Sequence, residues 1–294
     1  MSTWLWVVLL LFCAVVAATA IMWAKVSYDT FPNNLKPGEE YEIDGRKYRV
    51  PNLPHKRYKS NGKSDINSDV PMLDKNMLSD LRSLIDCTFS TLRESETEFW
   101  VTGGTLISAI LWKHLMCYDD DCDIAVNWKD REYIWGEKFT TLLHLNGLET
   151  FFLRGATLNT ATREGSCVRV RKKGTIVPTL DIFFVKERDD GKFAKVNTWS
   201  GNTITYNEPS ELWDSAEWIY PLHEENIDGM IWPIANRGED MLDRQYTPEW
   251  RHEIQSPDPM TKSHSFAFGI TNFFGAWRIG KPSSEEDRTK LINN

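Results

Sequence analysis

Basic charge is what this sequence has too little of to coat a nucleic acid: Lys and Arg number 34 against 42 Asp and Glu, a formal net charge of −8 over 294 residues. Neutralising phosphates along a duplex needs a concentrated basic surface, and no Lys/Arg block occurs, so no nucleic acid is expected as a partner. Cysteine is scarce as well. Five residues are too few for a disulfide scaffold, and Cys87, Cys117, Cys122 and Cys167 stand at spacings that match no zinc motif. There is no internal repeat, no low-complexity tract and no Asn-x-Ser/Thr triplet, the last of which is silent on topology. What is present is globular: 41% hydrophobic and 26% charged residues, with 13 Trp that fit a large aromatic core better than a sugar-facing surface.

Charge is also missing from one continuous stretch. From Trp4 to Ala24 no residue is ionisable as Asp, Glu, Lys or Arg, and the run is long enough as a helix to cross a hydrocarbon layer of about 30 Å. It reads as a retained single-pass membrane anchor over residues 1–24. A cleaved signal peptide would carry a basic n-region and a shorter apolar run, although Ala17, Ala18 and Ala20 offer small residues for cleavage. Lys25 and Lys36 follow the span and nothing basic precedes it, which by the positive-inside count leans toward a cytoplasmic body. Residues 25–70, rich in Pro, Gly, Asn, Ser and Lys, read as a stem or linker with one small hairpin.

The folded body is expected over residues 71–256, with residues 257–294 as a C-terminal extension. Leu73, Met77, Leu78, Leu81, Leu84, Ile85 and Phe89 recur at three- and four-residue steps, predicting an amphipathic helix between Met72 and Glu98 that covers one face of a sheet. A strand over Phe99 to Thr102, a Gly103-Gly104 turn and a helix from Thr105 to His114 follow. After them come a strand from Asp121 to Asn127 and a helix from Arg131 to Leu145. Further strands are expected near Leu148 to Leu153, Cys167 to Arg171 and Thr175 to Val185. The alternation makes the body α/β or α+β, a mixed sheet with flanking helices.

Chemistry concentrates at Tyr118-Asp119-Asp120-Asp121-Cys122-Asp123-Ile124, where four carboxylates fall within five residues and no Lys or Arg lies between His114 and Lys129. On a strand, Asp119, Asp121 and Asp123 would share one face while Cys122, Ile124 and Val126 share the other, so the apolar set is buried and the aspartates stand in a row. Such a row of hard oxygen ligands suits Mg²⁺ or Mn²⁺ bridged to a substrate phosphate; a solvated acidic loop is the bland alternative. An EF-hand is excluded, because Ile124 stands where it needs Gly and Asp130 where it needs Glu. Asp181, alone in the apolar run Leu180 to Val185, is a candidate third ligand, and equally an edge-strand Asp facing water or a partner for Arg169 or Arg171 on the preceding strand. Gly103-Gly104-Thr105, between a strand and a helix, is a candidate phosphate cradle, since glycine lets backbone N–H groups approach an anion closely.

These elements together resemble the LicD/fukutin family. Phe99-Trp100-Val101-Thr102-Gly103-Gly104-Thr105-Leu106, the acidic run that follows, Leu180-Asp181-Ile182-Phe183, and the segment from Trp218 to Trp250 carry the resemblance, which spans about Leu73 to Arg251. It implies a nucleotidyltransferase-like fold and a metal-dependent phosphotransferase. Such an enzyme moves a phosphorylated alcohol, of the phosphocholine or ribitol-phosphate type, from a CDP-activated donor to a hydroxyl of a glycan or glycoprotein acceptor. A Golgi or secretory-pathway membrane location is implied with it. Carried over, Asp121, Asp123 and Asp181 are the catalytic metal-binding acids and Asp119 an outer ligand. The family commonly has Arg-His where this chain has Leu111-Trp112, Pro-Trp at Cys117-Tyr118 and Tyr-Gly at Tyr246-Thr247. Lys113, His114, Arg169 and Arg171 are the cations available to replace the missing donor contact. Two rivals stand beside this reading: a Golgi-type glycosyltransferase using Asp-x-Asp for a nucleotide sugar, and a non-catalytic glycan-binding relative.

Overall fold

The computed structural model describes residues 33–58, 64–66, 68–154, 157–159, 166–175, 177–199, 202–205 and 209–257. The run expected to form an anchor, 1–24, lies outside them, as does the C-terminal extension beyond residue 257. No helix of the described residues is long and apolar enough to cross a membrane.

Helix α1 (Lys75–Glu94) starts later than the apolar periodicity suggests. Val70–Met72 instead pairs antiparallel with Asn33–Leu35, and Asp74 caps the helix by accepting from the backbone N–H groups of Asn76 at 2.8 Å and Met77 at 3.4 Å. Leu78, Leu81, Leu84, Ile85, Phe89 and Leu92 are buried along one stripe. Each such side chain contributes roughly 1.5–3 kcal/mol of transfer free energy.

Among the described residues that stripe rests on an eleven-stranded mixed sheet. Its strands are β1 (Phe99–Val101), β2 (Asp121–Asn127), β3 (Leu148–Arg154), β4 (Thr157–Asn159), β5 (Cys167–Lys172) and β6 (Thr179–Glu187). They are followed by β7 (Phe193–Trp199), β8 (Asn202–Thr205), β9 (Leu212–Trp213), β10 (His223–Ile227) and β11 (Met230–Ile234). The spatial order is β4-β3-β5-β6-β2-β1-β11-β10, with β7 on β6 carrying β8 and β9. β2 and β6 run parallel in the centre, Asp121 opposite Thr179, Asp123 opposite Asp181 and Ala125 opposite Phe183.

Alternation divides the sheet into two faces. Cys122, Ile124 and Val126 of β2, Leu180, Ile182 and Phe184 of β6, and Val168 and Val170 of β5 join the main core under α1. The opposite face is split along its length. Its far half holds a smaller core of Trp100, Ala125, Val185, Trp213, Trp218 and Ile219; its near half carries Asp121, Asp123 and Asp181.

Three local expectations change. The glycines do not precede a helix but begin it: α2 (Gly103–Ile107) runs directly into a π-helical turn, Ser108–Trp112, that ends at Lys113 in the left-handed region. The helix expected over Arg131 to Leu145 is two, α3 (Arg131–Trp135) and α4 (Glu137–Leu145), because Gly136 takes an extended conformation between them. The stretch read as a stem is folded onto the body over residues 33–58. Its hairpin, Glu40–Ile43 with Arg46–Arg49, buries Tyr41, Ile43 and Tyr48, with Val50 just after it, in the main core. Tyr41 reaches His114, 2.8 Å from Nδ1, and donates to the Leu115 carbonyl; Arg46 and Arg82 hold the Asp228 carbonyl at the β10–β11 turn, at 2.5 and 2.6 Å. Short apolar pairs in a polar stretch were enough to make a hairpin because a larger core was there to receive them.

A second tie closes the C-terminal end. Ile254–Pro257 runs parallel to His55–Tyr58, and the buried His55 ring donates from Nδ1 to the Ser68 carbonyl at 2.8 Å and accepts at Nε2 from the Ser256 hydroxyl at 2.7 Å. Burial holds this imidazole below its ordinary pKa, in keeping with a neutral ring in those bonds.

Candidate active site

Strand β2 opens at Asp121, so Asp119 and Asp120 belong to the turn before it and the period-two rule does not govern them. Both are buried, at 8% and 4% exposure, and the Asp120 carbonyl accepts from the Thr179 N–H at 3.0 Å, which sets the register between the two central strands. One ligand oxygen from each of Asp119, Asp120 and Asp121 lies within 4.8 Å of the others. The turn thus adds Asp120 to the expected row; the unbroken run of three acids was its signal in the sequence.

The glycine element is fitted to the acids themselves. Gly103 sits at φ +59°, and a Cβ there would lie 2.9 Å from Asp123 Oδ2 and 3.7 Å from the Tyr246 hydroxyl; a Cβ at Gly104 would lie 2.8 Å from Asp119 Oδ2. Any side chain at either position would push into a carboxylate. The next residue completes the joint: Thr105 Oγ1 accepts the Asp123 N–H at 2.7 Å, and the Asp123 carbonyl accepts the Thr102 N–H at 3.0 Å. Gly103-Gly104-Thr105 and Asp119 to Asp123, separated in sequence by a helix, are therefore one assembled unit.

Electrostatics reflects the crowding. Asp123 is pushed well above the usual carboxylate range, first by burial and then by the charges of Asp121 and Asp181. Asp181 is raised by burial and held back by Arg169. Burial works against the Arg169 cation, but its ion pair with Asp181 outweighs that and raises its pKa. Asp181 is the register partner of Asp123 on the parallel strand, and both its oxygens accept from Arg169, from Nε at 2.7 Å and Nη2 at 2.6 Å; neither acid belongs to the close group of Asp119, Asp120 and Asp121.

A cavity of about 260 Å³ opens over this unit. Asp119, Asp121, Asp123 and Gly104 line it on one side; Leu111, Trp112, Met116, Tyr118, Tyr246 and Trp250 supply apolar and aromatic walls, and Glu253 to Gln255 close it. Tyr246 belongs to helix α6 (Gly238–Tyr246), which follows the short helix α5 (Ala216–Ile219); Tyr118 donates to the Gln255 carbonyl at 3.0 Å. Among the described residues no Lys or Arg lines the cavity, and Asp181 stands behind Asp123 rather than on its wall. The cations considered for donor contact are committed elsewhere. Lys113 Nζ is 3.4 Å from Glu225, Arg171 pairs with Glu149 at 2.8 Å and stacks on Phe151 at 4.1 Å, and Arg169 grips Asp181. His114 is bonded to Arg49 and Tyr41. The aromatic wall residues were not legible as site residues, because they come from segments more than a hundred positions apart.

The donor set fits a hard divalent cation. It is all carboxylate oxygen, three of the ligand atoms are mutually close, and the glycine joint leaves no room for a side chain to fill the position instead.

Residues 96–237 match the family described as LicD/FKTN/FKRP, nucleotidyltransferase domain. No curated protein matches the chain. Two solved structures of the antibiotic-resistance factor ANT(2'')-Ia are similar to it. The solution structure is 11% identical, covers 70% of this chain and 97% of that one, and has a TM-score of 0.33. The crystal structure with adenylyl-2''-tobramycin is 12% identical, covers 67% and 91%, and has a TM-score of 0.32.

Proposed function

Because residues 96–237 form a domain of the LicD/fukutin family, whose members are typically transferases, we propose that this protein is a metal-dependent phosphotransferase acting in glycan modification. In this reading it moves a phosphorylated alcohol from a CDP-activated donor to a glycan or glycoprotein hydroxyl. The observation that carries it is the joint at which Gly103 and Gly104 close directly onto the carboxylates of Asp123 and Asp119, beside an aromatic-walled cavity. An acidic loop without a function gains nothing from such a fit and pays the desolvation cost of its charges.

Asp119, Asp120 and Asp121 would hold Mg²⁺ or Mn²⁺, with Asp123 and Asp181 completing the acid set. When bound, the metal supplies charge neutralisation at the donor phosphates. The backbone N–H groups at Gly103 and Gly104 fix the position of those phosphates, and the aromatic walls take the planar base. The acceptor oxygen attacks the phosphorus that bears the alcohol, and the bond from that phosphorus to the CMP oxygen breaks. The acceptor proton passes to a carboxylate on the cavity wall, Asp119 or Asp121, while Asp181 supports Asp123 from behind. Among the described residues no Lys or Arg of the cavity wall meets the donor. We further propose a single-pass membrane protein of the secretory pathway, supported by the uncharged run from Trp4 to Ala24.

The full chain incubated with CDP-ribitol, CDP-choline and UDP- and GDP-sugars separates the possibilities by the nucleotide released. CMP release that falls ~10²–10³-fold in Asp121→Asn, with the fold intact, is the expected result. Release of UDP or GDP instead would make the protein a glycosyltransferase. Leu111 and Trp112 on the cavity wall, where the family has Arg-His, favour a binding-only relative as the second reading; Mn²⁺ binding without release of any nucleotide is its signature.

A further inference from the structure

Arg169, the cation that sequence spacing offers to a donor phosphate, is turned the other way. Its Nε donates to Asp181 Oδ1 at 2.7 Å and its Nη2 to Oδ2 at 2.6 Å, so the guanidinium edge is matched to the whole carboxylate edge. Arg169 and Asp181 are register partners on β5 and β6, and Asp181 and Asp123 are register partners on β6 and β2. The three side chains therefore form a row across three strands, on the sheet face opposite α1. The Asp181 side chain is 8% exposed and that of Arg169 22%, so the pair is shielded and its geometry is not averaged by water. A fork of two parallel charge-assisted bonds fixes orientation in a way that a lysine point charge does not. Of the further cations on this face, Lys195 is committed to Glu211 at 2.9 Å and lies 4.4 Å over the Phe183 ring, and Arg171 pairs with Glu149.

Resting on the transferase reading above, we infer that Arg169 is a positioning residue: it holds Asp181 in the single orientation in which that acid supports Asp123, and it does not contact the donor. Asp181 has one cross-strand neighbour of like charge and would turn from it if unrestrained; the fork prevents the turn. Donor affinity then owes nothing to Arg169, while the rate of the chemical step depends on it.

The test is a double-mutant cycle on the full chain with Arg169→Met, Arg169→Lys, Asp181→Asn and the Met/Asn double variant. For CMP release, Arg169→Met is expected to lower kcat about a hundredfold, the cost of a misplaced group, with the donor KM changed by less than about threefold. Arg169→Lys should recover only part of that loss. The double variant should be no slower than Asp181→Asn alone, because Arg169 acts through Asp181. A KM rise of about tenfold or more, or losses that multiply in the double variant, would make Arg169 a donor contact and overturn the inference. Mn²⁺ titration by calorimetry reads the same coupling without turnover. Arg169→Met should change Mn²⁺ affinity by about threefold or more when Asp181 is present, and by clearly less in the Asp181→Asn background. Equal changes in both backgrounds also overturn it. A wild-type chain that binds Mn²⁺ but releases no nucleotide ends the transferase reading and leaves the orienting role to the titration; one that does neither ends both.

Discussion

Strands β2 and β6 carry opposite chemistry at their two ends on one and the same face. At the far end Ala125 and Val185 pack with Trp100, Trp213 and Ile219, all at or near zero exposure, and hydrophobic burial is the whole account of the arrangement. At the near end, two residues before Ala125 and four before Val185, Asp123 and Asp181 stand opposite one another, with Asp121, Asp119 and Asp120 nearby in the chain. The backbone is equally regular at both ends, so sheet formation does not explain the difference. Like charges that are buried and adjacent cost free energy, and Arg169 on the neighbouring strand offsets part of it by direct contact with Asp181. One end of the strand pair stabilises the fold; the other draws on that stability to hold a site.

That contrast is open to direct attack, beginning with its apolar end. Trp100→Ala should cost about 3–5 kcal/mol of stability by chemical denaturation, as expected for emptying a large core position, while Mn²⁺ affinity measured under folding conditions stays as in the wild type. A loss of metal affinity in that variant would mean the two ends are not separate. Metal comes next. Mn²⁺ at a hundredfold excess over its Kd should stabilise the wild type by about 2.7 kcal/mol, seen as a rise in Tm that EDTA reverses and Asp121→Asn abolishes.

Smaller effects should sharpen the comparison. Gly103→Ala places a Cβ 2.9 Å from Asp123 Oδ2 at a φ of +59°, and about 1–3 kcal/mol of destabilisation is expected, together with weaker Mn²⁺ binding because the carboxylate must move. An unchanged Kd there would sink the proposed joint. The smallest expected effect has the opposite sign. Since burial and the neighbouring acids raise the Asp123 pKa, the folded chain binds more protons than the unfolded one once pH exceeds the ordinary Asp value of about 4. Stability from this group is therefore present at low pH and is lost as pH rises through its folded pKa. Asp123→Asn should flatten that dependence and stabilise the metal-free protein at neutral pH by roughly 0.5–2 kcal/mol, read from denaturation curves across pH. Loss of stability at neutral pH would show that the acid end supports the fold after all.

Much of this was legible in the chain, and for local reasons. The three- and four-residue spacing of Leu78, Leu81, Leu84, Ile85 and Phe89 marks α1, because helical period alone decides which side chains share a stripe. The alternation of Asp121 and Asp123 with Cys122, Ile124 and Val126 marks β2 to its observed limits, Asp121–Asn127. Two boundaries failed where a single residue overrode the periodicity: Asp74 by capping α1, and Gly136 by breaking the helix expected through it.

What the sequence by itself determined, then, is the inventory: which segments are helix or strand, and that acids and a glycine pair recur in a pattern that a metal-phosphate site would use. Tertiary structure alone decided the partnerships. The choice between Arg169 and Arg171 for Asp181 depends on strand register, which no local pattern encodes. The residues for which Gly103 and Gly104 must be small were invisible until a turn 16 positions on folded back against them. The hairpin around Tyr41 to Val50 looked like a stem because its few apolar residues can bury nothing among themselves. They find a core only when residues far along the chain supply the other side, and long-range contacts of that kind follow from the packing of the whole chain rather than from any stretch of it.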